Sequence, residues 1–143
     1  TPANSFAAHA VAQGHTVFMV SWRNIPPELG SLTWDDYVEK GALTALRVSG
    51  EIAGSKAVNA LGFCVGGTIL ATALAVLAAR KDHSVASATL LTTLVDFADP
   101  GEIGVYISRE VLAAREPQLM AGQRINGAEL AGAFASLRAN ELV

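Results

Sequence analysis

Six residues near the middle of the chain, Gly62-Phe63-Cys64-Val65-Gly66-Gly67, combine a nucleophile with the spacing a catalytic turn needs. They fit the pattern G-x-S-x-G with cysteine where serine is usual, between a run that reads as strand and a run that reads as helix. A nucleophile at such a bend sits in unfavourable backbone dihedrals, and side chains two residues to either side would collide with it. Gly62 and Gly66 remove those collisions, and Gly67 lets the following helix approach the sheet. The sulfur is expected at the carboxyl end of its strand, where parallel sheets place their sites. The amino end of the helix points at it, and the partial positive charge there favours thiolate. The backbone N–H of Val65 becomes one oxyanion-hole donor. A lone cysteine is more often a small buried hydrophobe, but glycines on both flanks favour the nucleophile. Neither a dinucleotide loop nor a P-loop fits. The three glycines do not spell G-x-G-x-x-G, and no lysine precedes Thr68.

A thiol nucleophile needs a base, normally a histidine oriented by a carboxylate. His9 falls on the first helix, while His15 and His83 precede strands and so lie at the opposite end of the sheet from Cys64. All three read as surface or loop histidines. Asp96 and Asp99 follow a strand at its carboxyl end. Asp96 could orient a base there, although a loop aspartate capping the next turn is the commoner role. The order nucleophile, acid, histidine leaves no suitable histidine after Cys64, so the base is expected beyond Val143.

The elements that must hold the turn alternate helix and strand. Asn4 to Gln13 reads as a short amphipathic helix ending at Gly14, and Thr16 to Trp22 as a strand covered on both faces. Asn24 to Gly30, with Pro26 and Pro27, is a loop. Thr33 opens a second helix with Asp36 as capping-box partner. Its buried face is expected to carry Trp34, Tyr37, Val38, Ala45, Val48 and Ile52, and Gly54 ends it. Ala57 to Leu61 is the next strand, Thr68 to Arg80 the next helix and Ser87 to Val95 a third strand. This order predicts an α/β fold with right-handed crossovers and a parallel sheet. Gly104 to Ala114 and Ala128 to Leu137 read as helices joined by a mobile segment around Gly122 to Gly127.

Composition narrows the function classes. The chain has 143 residues, 51% hydrophobic and 16% charged, enough to fill a core. Its 13 glycines and 26 alanines favour close packing of helix on sheet. Ten Lys and Arg against thirteen Asp and Glu leave a net charge of -3 and no basic run beyond Arg80–Lys81, which argues against nucleic acid. The single cysteine excludes an internal disulfide framework and a multi-cysteine metal site. Ala57 to Ala79 is uncharged and long enough to span a bilayer. Its polar residues, its alanine content and its strand-like first third argue against a membrane span. Both ends look cut, and the chain reads as an internal piece.

The residues resemble a known family, the polyhydroxyalkanoate synthases of the short-chain (class I) type. The likeness rests on Gly14-His15-Thr16-Val17-Phe18, Val20-Ser21-Trp22-Arg23-Asn24 and Leu32-Thr33-Trp34-Asp35-Asp36-Tyr37-Val38. It continues through Leu61 to Thr68, Leu90 to Asp99 and the tail Phe134 to Val143. The resemblance implies an acyltransferase of α/β-hydrolase fold that polymerises 3-hydroxyacyl-CoA, with release of CoA and no cofactor. Cys64 matches the family's acyl-carrying cysteine. Asp96 does not match its catalytic acid, and the acid and histidine are expected after Val143. The family implies a homodimer at the surface of cytoplasmic polymer granules. Residues 1–99 would then be a core segment and 100–143 the start of a cap region.

The chemistry agrees with a thiol. Thiolate attack on a CoA thioester yields another thioester, which stays activated for a substrate hydroxyl. Two alternatives stand beside this reading. One is a cysteine hydrolase similar to dienelactone hydrolase, whose turn also reads G-x-C-x-G-G. The other is a folding or dimerisation fragment without turnover.

Overall fold

The computed structural model describes residues 4–101, 104, 108–123, 127–128, 131–132 and 135. The chain divides into two compact units, Thr1–Asn24 with Thr33–Thr93, and Ile25–Leu32 with Leu94–Val143.

In the first unit, α1 (Phe6–Ala12) starts at Ser5, whose hydroxyl accepts from the Ala8 N–H at 3.1 Å. Such a cap satisfies one of the first-turn donors that a helix leaves open. The run Thr16–Trp22 differs from its expectation. It joins no sheet among the described residues, and Phe18, Met19 and Val20 are exposed by 41%, 79% and 54%. β-Branched and aromatic residues favour extended chain, but a strand also needs a neighbour offering a free ladder edge. The one ladder described is made by other segments. Trp22 packs instead as a side chain, its ring tilted against Tyr37 at 5.6 Å between centroids and lying over Gly41. A Cβ on Gly41 would come within 2.7 Å of the indole Cζ3.

Three helical stretches, Trp34–Asp36, Tyr37–Leu43 and Thr44–Ala53, run on as one rod, α2. Its start is the expected capping box. The Thr33 N–H donates to Asp36 Oδ2 at 2.9 Å, and the Asp36 N–H donates to Thr33 Oγ1. Lys40 lies 2.7 Å from Asp36 Oδ1. That ammonium and the Thr33 N–H lower the Asp36 carboxyl to about 2. Gly54 ends the rod in the left-handed conformation at φ +61°. The middle stretch is π-helical, bonding five residues back rather than four. It shifts the phase of the turns beyond it. Val38 is buried, Ala42 and Leu43 pack with it, and Leu46, Ser49 and Gly50 continue the half-buried side. Trp34 and Ile52, expected on that face, are exposed by 43% and 67%. Tyr37, Ala45 and Val48, the other positions expected there, are half-buried.

β1 (Val58–Phe63), α3 (Val65–Ala79) and β2 (Val85–Leu91) come next. The strands pair in parallel from Val58↔Val85 to Phe63↔Leu91, with a register shift between Val58 and Asn59. Among the described residues this is a small α/β arrangement with a two-stranded parallel sheet, where three strands were expected. The core lies where α3 meets α2. Val38, Ile69 and Ala73 form it, with Tyr37, Ala42, Leu43 and Val76 packed around; Leu70 and Leu77 of α3 are buried as well. Ile69, Leu70, Ala73 and Leu77 recur at helical spacing, which is why this uncharged helix stays with the sheet. Among the described residues no helix is long and apolar enough to cross a membrane. β2 stops four residues short of its expected end because Thr92 turns the chain at φ +45°.

In the second unit, Pro27–Leu29 forms one 3₁₀ turn. Asp96 Oδ1 accepts from the Ala98 N–H at 2.9 Å, and Asp99 Oδ1 from the Gly101 N–H at 3.0 Å. Both are loop aspartates bonding backbone two residues on. α4 (Arg109–Met120) opens at Ser108, whose hydroxyl accepts from the Val111 N–H at 3.2 Å. That cap explains why the helix expected over Gly104–Ala114 starts later; it ends at Met120, six residues further on. Of the expected Ala128–Leu137 helix, residues 128, 131, 132 and 135 are described and are helical. The tail from 136, and residues 124–126 of the expected mobile segment, lie outside the described residues.

Candidate active site

The turn between β1 and α3 is built from backbone constraints before any chemistry. Cys64 caps α3 at φ +50°, ψ −128°, a region that L residues other than glycine avoid. Its N–H donates to the Leu91 carbonyl at 3.0 Å, which carries the parallel ladder one residue past the strand end. Its own carbonyl accepts from the Gly67 N–H at 2.9 Å and the Thr68 N–H at 3.3 Å, opening the helix.

The glycines have distinct duties. A Cβ on Gly62 would drive into the Gly67 backbone, 2.9 Å from its nitrogen, and would sit 3.1 Å from the Gly66 carbonyl oxygen. A Cβ on Gly67 would strike the Thr93 side chain, 2.7 Å from its Cγ2. Gly66 is different, since a Cβ there meets nothing within 4 Å. The collision expected at Gly66 is therefore absent, and close approach is demanded at 62 and 67.

Cys64 is exposed, at the carboxyl end of β1. Val65 is the first residue of α3, and an N–H at that position has no acceptor within its own helix. It is an available donor at the positive end of the helix dipole. Phe63 and Val65 are exposed by 61% and 64%, so the sulfur has apolar neighbours on both sides in sequence. The sulfur's one described polar contact is Thr92 Oγ1, at 3.3 Å.

No histidine makes a described polar contact with the sulfur. His83 precedes β2 and is exposed, at the end of the parallel pair opposite Cys64. Beside it, hydrogen bonds from Ser84 hold the Asp82 carboxyl below the usual carboxylate range. His9 lies on α1, and the His15 N–H closes that helix on the Ala10 carbonyl. The strand expected to start after His15 is not formed, so its place at a strand's amino end lapses.

The two threonines after β2 were not singled out from the sequence, yet they complete the turn. Thr92 reaches the sulfur, and Thr93 fills the space above Gly67 while donating to the Leu91 carbonyl at 3.1 Å. Their signal was available. Two hydroxyl residues come directly after the strand that neighbours the cysteine strand.

No family model matches the chain. It is 50% identical over 147 aligned residues to the poly(3-hydroxyalkanoate) polymerase subunit PhaC of Cupriavidus necator, covering 99% of this chain and 25% of that protein. It is 40% identical to the subunit of the same name from Rhizobium meliloti, covering 99% of this chain and 23% of that one. The poly(3-hydroxyalkanoate) polymerase of Methylorubrum extorquens is 37% identical, covering 99% and 24%. The chain thus spans about a quarter of the length of these relatives. Along nearly all of its own length, it is similar to one segment of these poly(3-hydroxyalkanoate) polymerases.

Proposed function

We propose that this chain is the nucleophile-bearing segment of a polyhydroxyalkanoate polymerase of α/β-hydrolase fold. The observation that carries the reading is the conformation of Cys64, an exposed sulfur on a residue of positive φ between a parallel strand and a helix. Structure without use rarely keeps a non-glycine residue there.

The Sγ thiolate attacks the carbonyl carbon of a 3-hydroxyacyl-CoA, with the Val65 N–H donating to the developing oxyanion. The bond to CoA sulfur breaks, CoA leaves and takes up a proton, and the acyl group rests on Cys64 as a thioester. A hydroxyl of another unit then attacks that thioester. Its proton passes to a base, an ester forms and Sγ leaves. Thioester-to-thioester exchange is nearly balanced in energy, so the acyl group stays reactive. Apolar Phe63 and Val65 suit a polyester chain better than water at the turn. The base and its orienting acid are proposed to come from other parts of the full-length polymerase, since His83 lies at the opposite end of the strand pair and the sulfur's described polar contact is a threonine. No cofactor is needed, coenzyme A being part of the substrate. The same reading gives residues 100–143 as the start of a cap, and a homodimer at the surface of cytoplasmic polymer granules.

In a full-length polymerase carrying this segment, Cys64→Ala is expected to abolish both polymer formation and CoA release from 3-hydroxybutyryl-CoA. Polymer made by that variant overturns the assignment. CoA release without polymer in the unsubstituted enzyme points instead to a hydrolase.

A further inference from the structure

We propose that Thr92 is a positioning residue for the Cys64 sulfur. This rests on the reading of Cys64 as nucleophile and adds a part to that site. Thr92 Oγ1 lies 3.3 Å from Sγ, bridging the carboxyl ends of two neighbouring parallel strands. Both residues have positive φ, Cys64 at +50° and Thr92 at +45°. A β-branched residue at positive φ is a rarer outlier than a cysteine there. The surroundings hold it in place. The Cys64 N–H bonds the Leu91 carbonyl, Thr93 Oγ1 bonds the same carbonyl, and the Thr93 side chain is seated on Gly67. Two strained turns are thus fastened back to back, and their one side-chain link is hydroxyl to sulfur.

The chemistry assigns the direction of that link. A thiol can donate to the hydroxyl, but a thiolate only accepts. Once the sulfur is anionic, Thr92 must be the donor. The bond then fixes Sγ on the open side of the turn, where an incoming carbonyl meets it.

Cys64 is the only cysteine, so thiol alkylation reports on it alone. The experiment is the rate of iodoacetamide alkylation of the whole chain at one fixed pH, with far-ultraviolet circular dichroism as the fold check. Thr92→Val keeps the β-branch and removes the hydroxyl, and is expected to react about 3- to 10-fold more slowly. Thr92→Ser restores the hydroxyl and is expected to react within about 2-fold of the natural chain. Should the valine variant not fold, Thr92→Gly relieves the backbone strain, lacks the hydroxyl and must be slow in the same way. A hydroxyl-free variant reacting at the natural rate, or a serine variant as slow as valine, overturns the proposal. Iodoacetamide needs no acyl substrate. This result therefore stands or falls separately from polymer synthesis by the Cys64→Ala enzyme.

Discussion

Thr16–Trp22 and Val58–Phe63 lie in the same unit and are both apolar runs that read as strands, yet only the second becomes one. Composition does not separate them. The first is richer in β-branched and aromatic residues, and the second contains a glycine and an asparagine. What separates them is company. Val58–Phe63 has β2 along one edge and α3 against it, whereas the earlier run joins no sheet among the described residues and leaves Met19 and Val20 exposed. Strand propensity is largely a record of packing, and without a neighbour it decides little.

Three substitution experiments sharpen that contrast. The largest effect is expected from the helix that covers the sheet. Leu70→Ala, at a position only 6% exposed, should cost about 2–5 kcal/mol in urea unfolding. Met19→Ala, in the uncovered run, should stay within about 0.5 kcal/mol. Equal effects would mean that the two runs are equally covered in solution. Next comes Gly67→Ala, which forces the stiff Thr93 side chain aside and should cost about 1–3 kcal/mol. Gly66→Ala beside it should be almost silent, and the same denaturation curves separate them. A costly Gly66→Ala would restore the collision that its position in the motif suggested.

The smallest effect concerns pH and the start of α2. The Asp36 carboxyl is lowered from 3.8 to about 2, chiefly by Lys40 and the Thr33 N–H. A carboxyl lowered on folding contributes stability that is fully present above its unfolded value and lost as pH falls through the folded one. Stability should therefore decline between about pH 4 and pH 2. Asp36→Asn should flatten part of that decline, read by thermal melts across the range. An unchanged slope would remove the capping box from the acid response.

Much of this was legible in the residues. Thr33 and Asp36 spelled the capping box, Gly54 the left-handed stop, and Gly62 to Gly67 the bend that carries the sulfur. These features are local, set by a handful of neighbouring backbone groups, and local rules reach them. The misses were of another kind. Trp34 and Ile52 are exposed although their spacing fits the buried face, because spacing does not say how far a neighbour covers a helix. β2 ended early because Thr92 is held by contacts with a distant turn. Thr16–Trp22 stayed unpaired because pairing is settled between segments. Thr92 itself escaped notice because nothing in a threonine's type announces a sulfur 28 positions earlier.

The π-helical stretch of α2 also governs where this unit can change length. Bonding five residues back stores one position more than the same span of ordinary helix would hold. Losing a residue between Tyr37 and Leu43 lets the rod close into plain α-helix, with its capped start and its glycine stop both intact. Losing one between Thr44 and Ala53 instead swings the turns beyond it by about 100°. That rotation would carry Gly50 away from Ser55 and Val58, against which it now lies. The wide coil is slack that the rest of the helix does not have.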